Sequence, residues 1–439
     1  MKRIFKVLVV AILSWEAKHV LRKYKPFVIA VTGSVGKTST KDAIFEVVKG
    51  TIKSRKSMKS FNSEIGVPLT VLGLENKWSS VFGWASNITQ GFFMVIFPSL
   101  YPELLVLEVG ADHPGDIKRI TAWLSPDITV VTRIPDLPVH VEYFSSPEEV
   151  KKEKSELVKA LKKTGVFIAN ADDVAVVGLA SLTRARMVTY GFGETAMVRG
   201  SSPEIDYHER DDRKVPIGMK FNIDYKGEMH EVKLKGILGT HVASAALAAA
   251  AVGIARNITL KAIVESLAVL ESPRGRMRIL AGRSGSTLID DTYNSSPVAL
   301  TAALLTLKGM KANHRVAVLG DMLELGKYSN TEHWDIGREL GSWVDQLVTV
   351  GQRARGIAEG AKTAGLPEGK IRTFANSKEA GEWLMPELKT GDVVLVKGSQ
   401  GSGANMVRME RAVKAMMTHP EDADKFLVRQ EKEWLSQYE

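Results

Sequence analysis

A glycine-rich turn that carries a lysine and several hydroxyl groups lies near the start of the chain. It reads Gly33-Ser34-Val35-Gly36-Lys37-Thr38-Ser39 and follows the apolar run 27–31. Backbone N–H groups of such a turn can bind phosphates, helped by the N-terminus of the following helix. Lys37 would neutralise the β- and γ-phosphates of a nucleotide, and the Thr38 hydroxyl would be a magnesium ligand. A strand before the turn and a helix after it favour phosphate binding over a plain glycine turn, although Val31 stands where the full motif has glycine.

Two further polar residues follow predicted strands in the same half of the chain. Glu108 stands near the end of the apolar run 104–109. Ligands of open α/β sheets bind at the carboxyl ends of the strands, so Glu108 could hold a second magnesium ion. The alternative is an acid at the surface or at a helix start. His140 follows another strand, where a single histidine is more often structural than functional.

Polar residues also follow the apolar runs of the second half. Asp291 comes after one run, where a carboxylate can accept hydrogen bonds from ribose hydroxyls, and Asn294 is expected to flank the same site. Arg276 lies at a presumed hinge, where a guanidinium could reach the γ-phosphate. Asp321 and Glu324 follow the next strand and are expected where an incoming amine would bind. For Asp321, capping of a helix N-terminus is the alternative.

The pattern of apolar runs predicts an α/β fold in two domains. Runs at 27–31, 104–109, 128–132 and 166–169 alternate with helical stretches, which is typical of a parallel sheet with crossover helices. A second series starts beyond 272–275, with runs at 287–290, 316–319, 347–350 and 393–396. We predict a P-loop ATPase domain with a parallel sheet at 27–272 and a Rossmann-like domain at 273–418. Residues 186–236 predict an antiparallel excursion, and the charged tail 419–439 predicts a loosely attached helix.

The composition excludes several kinds of site. The chain has no cysteine, which excludes disulfides, thiolate nucleophiles and thiolate metal sites. A metal would therefore bind oxygen or imidazole ligands, which suits magnesium. The net charge is +9, but much of it comes from residues 1–26, whose basic residues are Lys2, Arg3, Lys6, Lys18, Arg22, Lys23 and Lys25. The remainder gives no broad basic surface, so no nucleic-acid partner is expected.

Residues 1–26 predict a basic amphipathic segment. An apolar stripe on one helical face would consist of Ile4, Val7, Leu8, Ala11, Ile12 and Trp15. The apolar stretch is shorter than the roughly 20 residues of a spanning helix, and a small-x-small cleavage site is lacking. Three interpretations stay open: a helix on a membrane surface, a helix docked on the protein's own core with Trp15 and Leu21 buried, and an oligomer contact.

Ordered sequence blocks between residues 27 and 415 resemble those of the Mur ligase family. The short form Thr-Gly-x-x-Gly-Lys-Thr-Ser at 32–39 is similar to the nucleotide loop of that family, which lacks the first glycine. The other blocks follow in the family's order at 61–70, 107–117, 170–173, 275–277, 290–297, 320–326 and 397–399. So many blocks in one order make chance a poor explanation.

The resemblance implies roles for particular residues. It makes His140 a magnesium ligand and Lys154 a lysine that carbon dioxide carbamylates, although composition alone would make 151–156 a solvated helix face. It implies catalytic roles for Lys37 and Glu108 beside these two. It places Asn62, Ser63, Asp321, Glu324 and Lys397 on the substrate side. Arg276, Asp291 and Asn294 correspond to residues that contact the nucleotide.

Three features depart from the family pattern. Val242 and Ala245 stand where the family usually has asparagine, which predicts looser selectivity for adenine. Gln400 replaces an arginine and is followed by the glycine-rich segment 401–403. The family normally carries an N-terminal domain that grips the uridine diphosphate end of the substrate, and we expect no such domain in the 26 residues before the nucleotide strand.

The activity implied by the resemblance is ATP-dependent amide ligation through an acyl-phosphate, with ATP and Mg²⁺ as cofactors. The specific reaction expected is addition of D-alanyl-D-alanine to a UDP-muramoyl-tripeptide in peptidoglycan synthesis. Two alternatives remain: another amide ligase, such as a folylpolyglutamate or cyanophycin synthetase, and a non-catalytic, membrane-associated nucleotide-binding scaffold. We expect a cytoplasmic monomer, with a muramoyl-peptide and a dipeptide amine as partners and peripheral contact with the inner face of the membrane through residues 1–26.

Overall fold

The chain is an α/β protein with two sheets, and this fold prediction is confirmed. The computed structural model describes residues 3–58, 61–78, 80–210, 213–401, 407–431 and 434. The chain divides into two compact units. The first consists of Met1–Ser201, Asn222–Val232 and Ala243–Leu270, and the second of Ser202–Phe221, Lys233–Val242 and Glu271–Glu439. Both units therefore take segments from the region between 198 and 242.

Among the described residues, nine strands form the first sheet. They are β1 Phe27–Thr32, β2 Ser54–Lys56, β3 Leu104–Glu108, β4 Ile128–Val131, β5 Val166–Asn170, β6 Arg186–Gly191, β7 Val198–Arg210, β8 Arg213–Tyr225 and β9 Glu228–Lys235. The order is β2-β3-β1-β4-β5-β6-β7-β8-β9, and the pairs from β2 to β7 are parallel. The two-residue links after β7 and β8 can join only antiparallel strands. The prediction of an antiparallel excursion over 186–236 is therefore wrong for β6, which continues the parallel sheet and pairs in parallel with β7, and the antiparallel part starts with the pair β7–β8.

The helices among these strands cover apolar strand surfaces. They are α1 Arg3–Tyr24, α2 Lys37–Val48, α3 Gly66–Leu72, α4 Val81–Ile96, α5 Asp116–Thr121, α6 Pro147–Lys159, α7 Val174–Gly178, α8 Thr240–Ala255 and α9 Leu260–Leu267. The start of α6 shows how local sequence fixes a helix end. The Ser146 hydroxyl accepts a hydrogen bond from the Glu149 N–H, and Pro147 occupies the first turn, where its missing N–H costs nothing.

In the part of the chain that the structure describes, six strands form the second sheet. They are β10 Arg278–Ala281, β11 Thr287–Asp291, β12 Arg315–Gly320, β13 Gln346–Val350, β14 Ile371–Phe374 and β15 Val393–Lys397. The order is β10-β11-β15-β12-β13-β14, and β10 alone runs antiparallel to its neighbour. The helices are α10 Pro297–Gly309, α11 Ser329–Leu340, α12 Arg355–Thr363, α13 Ser377–Leu384, α14 Glu410–Met416 and α15 Ala423–Phe426. The predicted runs of this half therefore form one mainly parallel sheet.

The charged tail is tied to the second unit, which differs from the loose attachment expected from its sequence. Leu427 is fully buried in the apolar cluster that includes residues of β15 and α14. The Arg429 guanidinium donates to the carbonyls of Thr292 and Tyr293, at 3.2 and 2.6 Å, and to Glu410 Oε2 at 3.0 Å. Hydrogen bonds to buried charged groups are stronger than neutral ones, so these contacts fix the described part of the tail.

Helix α1 docks on the first unit with a face that the sequence pattern did not select. Its buried apolar residues are Val9, Leu13, Ala17 and Val20, in one apolar cluster with residues of α3 and α4. The stripe selected from the sequence is mostly exposed at Val7, Leu8, Ala11 and Trp15, and the Ile4 side chain lies outside the described residues. Docking on the protein's own core is thus observed. The prediction that Trp15 is buried is wrong, and Leu21 is only partly buried. Among the described residues, no helix is both long and apolar enough to cross a bilayer.

Glu16 is a buried acid at the contact between α1 and α4. A Cβ added at Gly91 would overlap its carboxylate, so glycine permits this close approach. Within the described part of the chain, Glu16 Oε2 accepts no hydrogen bond. Burial without a partner disfavours the charged form and raises the pKa of Glu16 from 4.5 to about 7.

We predict that Glu16→Gln makes the protein relatively more stable as the pH rises. A carboxyl whose pKa is higher in the folded state contributes fully below its unfolded pKa of 4.5, and that contribution is lost as the pH rises through about 7. Glutamine stays neutral, so the melting temperature of the variant minus that of the wild type should increase between about pH 5 and about pH 8. Thermal melts at these pH values measure this difference, with the exposed Glu103→Gln as control. A difference independent of pH would contradict the prediction.

Candidate functional site

The phosphate loop connects β1 to α2 and is held by β4. Gly33 has φ 140° and a Cβ there would overlap the Thr132 hydroxyl, so only glycine fits. The Thr132 hydroxyl donates to the carbonyl of Val35 at 2.7 Å. Gly36 has φ 83° and begins α2, so the backbone of the turn leads directly into the helix N-terminus. Lys37 Nζ donates to the Gly33 carbonyl at 3.0 Å and spans the loop.

Glu108, at the end of β3, binds groups from three other segments. Its Oε1 accepts hydrogen bonds from the Thr38 hydroxyl at 3.2 Å and from Asn62 Nδ2 at 3.1 Å. Its Oε2 lies 3.8 Å from Lys41 Nζ, and both side chains are buried. The Glu108 N–H donates to the Ser57 hydroxyl at 3.1 Å. The predicted acid therefore lies directly beside the phosphate loop.

Lys154 is a buried lysine in the same part of the first unit. The three lysines of its segment differ in exposure, since Lys151 is half-buried, Lys152 exposed and Lys154 buried. Burial, together with a smaller effect of the Lys37 ammonium, lowers the pKa of Lys154 from 10.5 to about 7, against the opposing effects of Asp112 and Glu153. A large part of the Lys154 amine is therefore neutral at physiological pH.

His140 lies near Asp112, one of the two acids that raise the pKa of Lys154. It has φ 66°, an uncommon conformation for a residue other than glycine, and its side chain is largely buried. Its Nε2 is 3.7 Å from Asp112 Oδ1, the carboxylate that acts on Lys154. The structure thus brings together Lys37, Thr38, Glu108, His140 and Lys154, which the sequence had placed in one site.

The predicted substrate-side loop, which carries Asn62 and Ser63, contacts Glu108. The Asn62 carbonyl accepts from the Gly110 N–H at 2.8 Å while its side chain donates to Glu108. The Ser63 hydroxyl accepts from the Gly66 N–H at 3.4 Å, next to the start of α3. A Cβ at Gly66 would overlap the backbone of Phe61, so this turn closes tightly. Asn62 and Ser63 are both half-buried.

In the second unit, a buried ion pair joins the ends of two neighbouring strands. Lys397 Nζ donates to Asp291 Oδ2 at 2.7 Å and to the Asn294 carbonyl at 2.9 Å. Asp291 Oδ1 accepts from the Met277 N–H at 3.2 Å. The Arg276 guanidinium stacks over the Tyr293 ring, 4.3 Å from its centroid. Lys397, predicted on the substrate side, thus lies beside the residues predicted to contact the nucleotide.

His241 belongs to the same cluster. Burial lowers the pKa of His241 from 6.5 to about 4, with an opposing effect of Asp291 and smaller effects of Lys397 and Arg276 in the same direction as burial. The imidazole is therefore neutral at physiological pH and can accept a hydrogen bond at one nitrogen. Val242 and Ala245 follow in α8, where both are buried.

Asp321 caps a helix that the sequence did not indicate. Its Oδ1 accepts from the Ala354 N–H at 2.8 Å, at the start of α12, and burial raises the pKa of Asp321. The capping alternative therefore applies, but to a helix distant in sequence. Glu324 has φ 63° and is half-buried. Gln400 and Gly401 are described, and the rest of the predicted glycine-rich segment, 402–403, lies outside the described residues.

The first site has the chemistry that magnesium requires. Magnesium prefers oxygen ligands and keeps several of its waters, so one or two protein oxygens are sufficient. The Thr38 hydroxyl and the Glu108 carboxylate meet this requirement, and Glu108 Oε2 accepts no hydrogen bond from the residues that the structure describes. Across the same described residues, no group of three or more His, Asp or Glu side chains could hold a metal. The residues fit a magnesium–nucleotide complex better than a metal ion bound by protein alone.

Two residues of these clusters were not selected from the sequence. Lys41 is one helical turn after Lys37 on α2, and this spacing could have indicated that both ammonium groups are on one side of the helix. His241 was noted only as part of an altered motif. Its proximity to Asp291 and Lys397 depends on tertiary contacts of the second unit, for which the sequence gives no local signal.

Family profiles match both halves of the chain. Residues 94–253 match the Mur ligase middle domain, and residues 275–400 match the domain described as Mur ligase, glutamate ligase domain. A UDP-N-acetylmuramoyl-tripeptide–D-alanyl-D-alanine ligase of Mycobacterium leprae is 32% identical over 396 residues, which cover 86% of this chain and 71% of that protein. The enzyme of the same name from Bacillus subtilis is 29% identical over 406 residues, covering 92% and 79%.

Solved structures show the same architecture. The crystal structure of MurF from Acinetobacter baumannii has a TM-score of 0.72 at 25% identity and covers 89% of this chain and 78% of its own. MurF ligase from Thermotoga maritima, solved in complex with ADP, has a TM-score of 0.73 at 23% identity, covering 95% and 84%. The second likeness supports the fold alone.

We predict that Asp291→Asn lowers the free energy of unfolding of the second unit by about 3–5 kcal/mol, because it leaves the buried Lys397 ammonium without its counter-charge. The double variant Asp291→Asn/Lys397→Met should recover much of this loss. Asp422→Asn breaks an exposed pair with Lys425 at the same 2.7 Å separation and should lower the free energy of unfolding far less, because water screens both charges. Denaturant titrations measure all three variants. Equal losses for Asp291→Asn and Asp422→Asn would contradict the prediction.

Proposed function

This chain belongs to the Mur ligase family, and we propose that it is an ATP-dependent ligase that adds D-alanyl-D-alanine to a UDP-N-acetylmuramoyl-tripeptide, the reaction for which its relatives are named. The observation that supports this most strongly is the arrangement of the first unit. A phosphate loop, a buried carboxylate bonded to it and a buried lysine with a pKa of about 7 occur together. The phosphate loop and a carboxylate that can hold magnesium are groups that phosphoryl transfer uses.

The reaction has two steps. A carboxylate oxygen of the tripeptide bonds to the γ-phosphorus of ATP while the bond from that phosphorus to the bridging oxygen of ADP breaks. The amino group of the dipeptide then attacks the carbonyl carbon of the acyl-phosphate, inorganic phosphate leaves, and the nitrogen loses a proton. The products are the amide, ADP and phosphate. Exclusion of water protects the acyl-phosphate between the two steps.

The residues of the first unit have separate roles in this proposal. The N–H groups of Gly33 to Ser39 bind the phosphates, and Lys37 offsets the charge on the transferred group. Thr38 and Glu108 would hold magnesium, with His140 as the ligand of a second ion. When bound, magnesium supplies positive charge beside the phosphoryl oxygens. Asn62 and Ser63 line the substrate side.

The second unit provides the other contacts in this proposal. Arg276, Asp291 and Asn294 contact the nucleotide, and Lys397 orients Asp291 through their 2.7 Å hydrogen bond. Asp321 and Glu324 are assigned to the side on which the dipeptide amine arrives. Because Asp321 already accepts the Ala354 N–H, its role is to fix the loop at the end of β12.

Lys154 is proposed to be carbamylated. Carbon dioxide reacts only with a neutral amine, and a pKa of about 7 provides one near physiological pH. The lone pair of the neutral Nζ bonds to the carbon of carbon dioxide, the electrons of one C=O π bond move to oxygen, and Nζ releases one proton, so a neutral amine becomes an anion close to the Lys37 ammonium. The negative charge of the carbamate beside this positive charge favours the modified form.

For the surroundings of the enzyme, we propose a cytoplasmic monomer that contacts the inner face of the membrane through residues 1–26. Its partners are the muramoyl-peptide and the dipeptide amine. The basic residues of that segment support contact with anionic lipid.

The proposed function predicts that the purified chain releases ADP and forms the pentapeptide product when given ATP, Mg²⁺, a UDP-muramoyl-tripeptide and D-alanyl-D-alanine. Glutamate, aspartate or arginine as amine should give no product. Lys37→Ala should lower the rate by roughly a hundredfold or more, because it removes charge needed around the transferred phosphate. ADP release and the mass of the product are the measurements.

Lys163→Ala, which changes an exposed lysine of the same unit, should keep wild-type activity. Product formation with glutamate but not with D-alanyl-D-alanine would favour a folylpolyglutamate-type ligase and refute the proposed substrate. A folded Lys37→Ala protein with normal turnover would refute the role of the loop.

We predict a carbamate on Lys154. Protein equilibrated with ¹³C-bicarbonate should give a carbamate signal in carbon NMR that increases from about pH 6 to about pH 8, because the neutral amine increases through the pKa of about 7. Lys154→Ala should lack both the signal and the activity, and small anions should partly restore the activity.

Lys152→Ala is the matched control, since it removes an exposed lysine two residues away. It should keep the signal and the activity. A fully active Lys154→Ala protein, or a signal that disappears in Lys152→Ala instead, would show that the assignment is wrong.

A further inference from the structure

Helix α1 is apolar on two opposite sides. One side, with Val9 and Leu13, is buried in the first unit. The other side exposes Val7, Leu8 and Trp15, with Val7 64% exposed. Docking on the protein therefore accounts for only one of the two apolar faces, and large side chains of the other remain in contact with water.

Helix α4 exposes large apolar side chains and has no charged residue to keep it soluble. No Asp, Glu, Lys or Arg occurs between residues 78 and 102. Phe82 is 89% exposed, and Phe92 and Phe93 are also exposed. The segment after the helix continues this pattern, with Phe97 exposed and Leu100 91% exposed. Single exposed apolar residues are common, but this many aromatic and aliphatic side chains in one segment indicate a binding surface.

Helices α1 and α4 contact each other closely. Glu16 of α1 approaches Gly91 of α4 so closely that a Cβ on the glycine would overlap the carboxylate. We define the α1–α4 surface as the exposed apolar side chains of these two packed helices and of the segment after α4: Val7, Leu8, Trp15, Phe82, Phe92, Phe93, Phe97 and Leu100.

The edge of this surface is cationic. Arg22, Lys23 and Lys25 are exposed at the C-terminal end of α1. Lys23 Nζ donates to the carbonyls of Met94, Val95 and Phe97, so its positive charge is fixed at the end of α4. The one acid of α1, Glu16, is buried and has a pKa raised to about 7. Apolar side chains thus adjoin positive charge, with no exposed acid on either helix.

We propose that the α1–α4 surface binds the surface of an anionic lipid bilayer. Aromatic and aliphatic side chains beside basic residues are typical of helices that lie in the interface of a bilayer. The surface goes beyond the N-terminal segment, because α4 and residues 97–100 supply most of its aromatic groups. A second copy of the chain fits less well, since a symmetric pair would bring the basic edges of both copies together.

Vesicle co-sedimentation of the full-length protein tests this inference. Wild-type protein should bind phosphatidylglycerol vesicles at low salt, bind less at high salt, and bind phosphatidylcholine vesicles weakly. Phe92→Ser/Phe93→Ser should lower the partition coefficient by about tenfold or more, because two apolar side chains no longer enter the interface. Arg22→Gln/Lys25→Gln should lower it by a similar factor and reduce the salt dependence.

The matched control is Val269→Ser/Leu305→Ser, which changes two exposed apolar residues elsewhere and should bind as the wild type does. Ligase turnover in solution should be the same for all these variants, which separates failure of this inference from failure of the proposed function. No binding at low salt, or equal binding by wild type and Phe92→Ser/Phe93→Ser, would overturn it. So would sedimentation data in which the phenylalanine variant loses a wild-type dimer but keeps its vesicle binding.

Discussion

The first unit is organised around a buried carboxylate, that of Glu108 at the end of β3. A buried charge is costly unless hydrogen bonds and opposite charges compensate it. Here the compensation comes from Thr38 in the phosphate loop, Asn62 in the substrate-side loop and Lys41 on α2. Two segments that are distant in sequence from β3, the start of α2 and the loop at Asn62, are therefore positioned by one group. The geometry of the site follows from the electrostatic requirement of this carboxylate as much as from the packing of the sheet.

The second unit uses buried charge in a similar way. Asp291 and Lys397 join the ends of β11 and β15, and Arg408, Glu410 and Arg429 form a second buried set at the tail. Burial raises the pKa of Asp290 to about 6, beside the Asp291 carboxylate. Such clusters contribute little net stability compared with apolar packing, but they determine one arrangement of the loops that carry them. Under the proposed function, Asp291 and Asn294 contact the nucleotide, so the loop at 292–294 needs such a defined position.

The sequence was sufficient for features that depend on local pattern. The apolar runs predicted both sheets, and the spacing of glycine, lysine and threonine identified the phosphate loop, because a turn between strand and helix is encoded by adjacent residues. Lys154 required the family resemblance, since its burial comes from tertiary packing that no charge pattern of 151–156 reveals. The fixed tail was missed for the same reason. Arg429 finds its acceptors at Thr292 and Tyr293, far away in the sequence.

Helix α1 shows a different limit of sequence reasoning. Helical periodicity correctly identified an apolar stripe that includes Val7, Leu8 and Trp15. If α1 docks on the core, this stripe was expected to be buried, but it is mostly exposed, because the helix has a second apolar side that contacts the core. Periodicity indicates which residues share a face, and not which of two apolar faces meets the core. Which face of α1 is buried depends on its packing against α3 and α4, and on the close approach that Gly91 allows.

The positions of the strands have a consequence for how the chain folds as it is synthesised. In the first sheet, β1 is made first and lies between β3 and β4, so later strands can add outward from it. In the second sheet, β15 is made last and lies between β11 and β12, which have no direct pairing with each other. The first unit can thus begin to assemble on the ribosome, whereas the second must keep two incomplete half-sheets, with unpaired edges, until β15 emerges. Between the synthesis of β12 and that of β15, this half of the chain is most prone to aggregation and most in need of a chaperone.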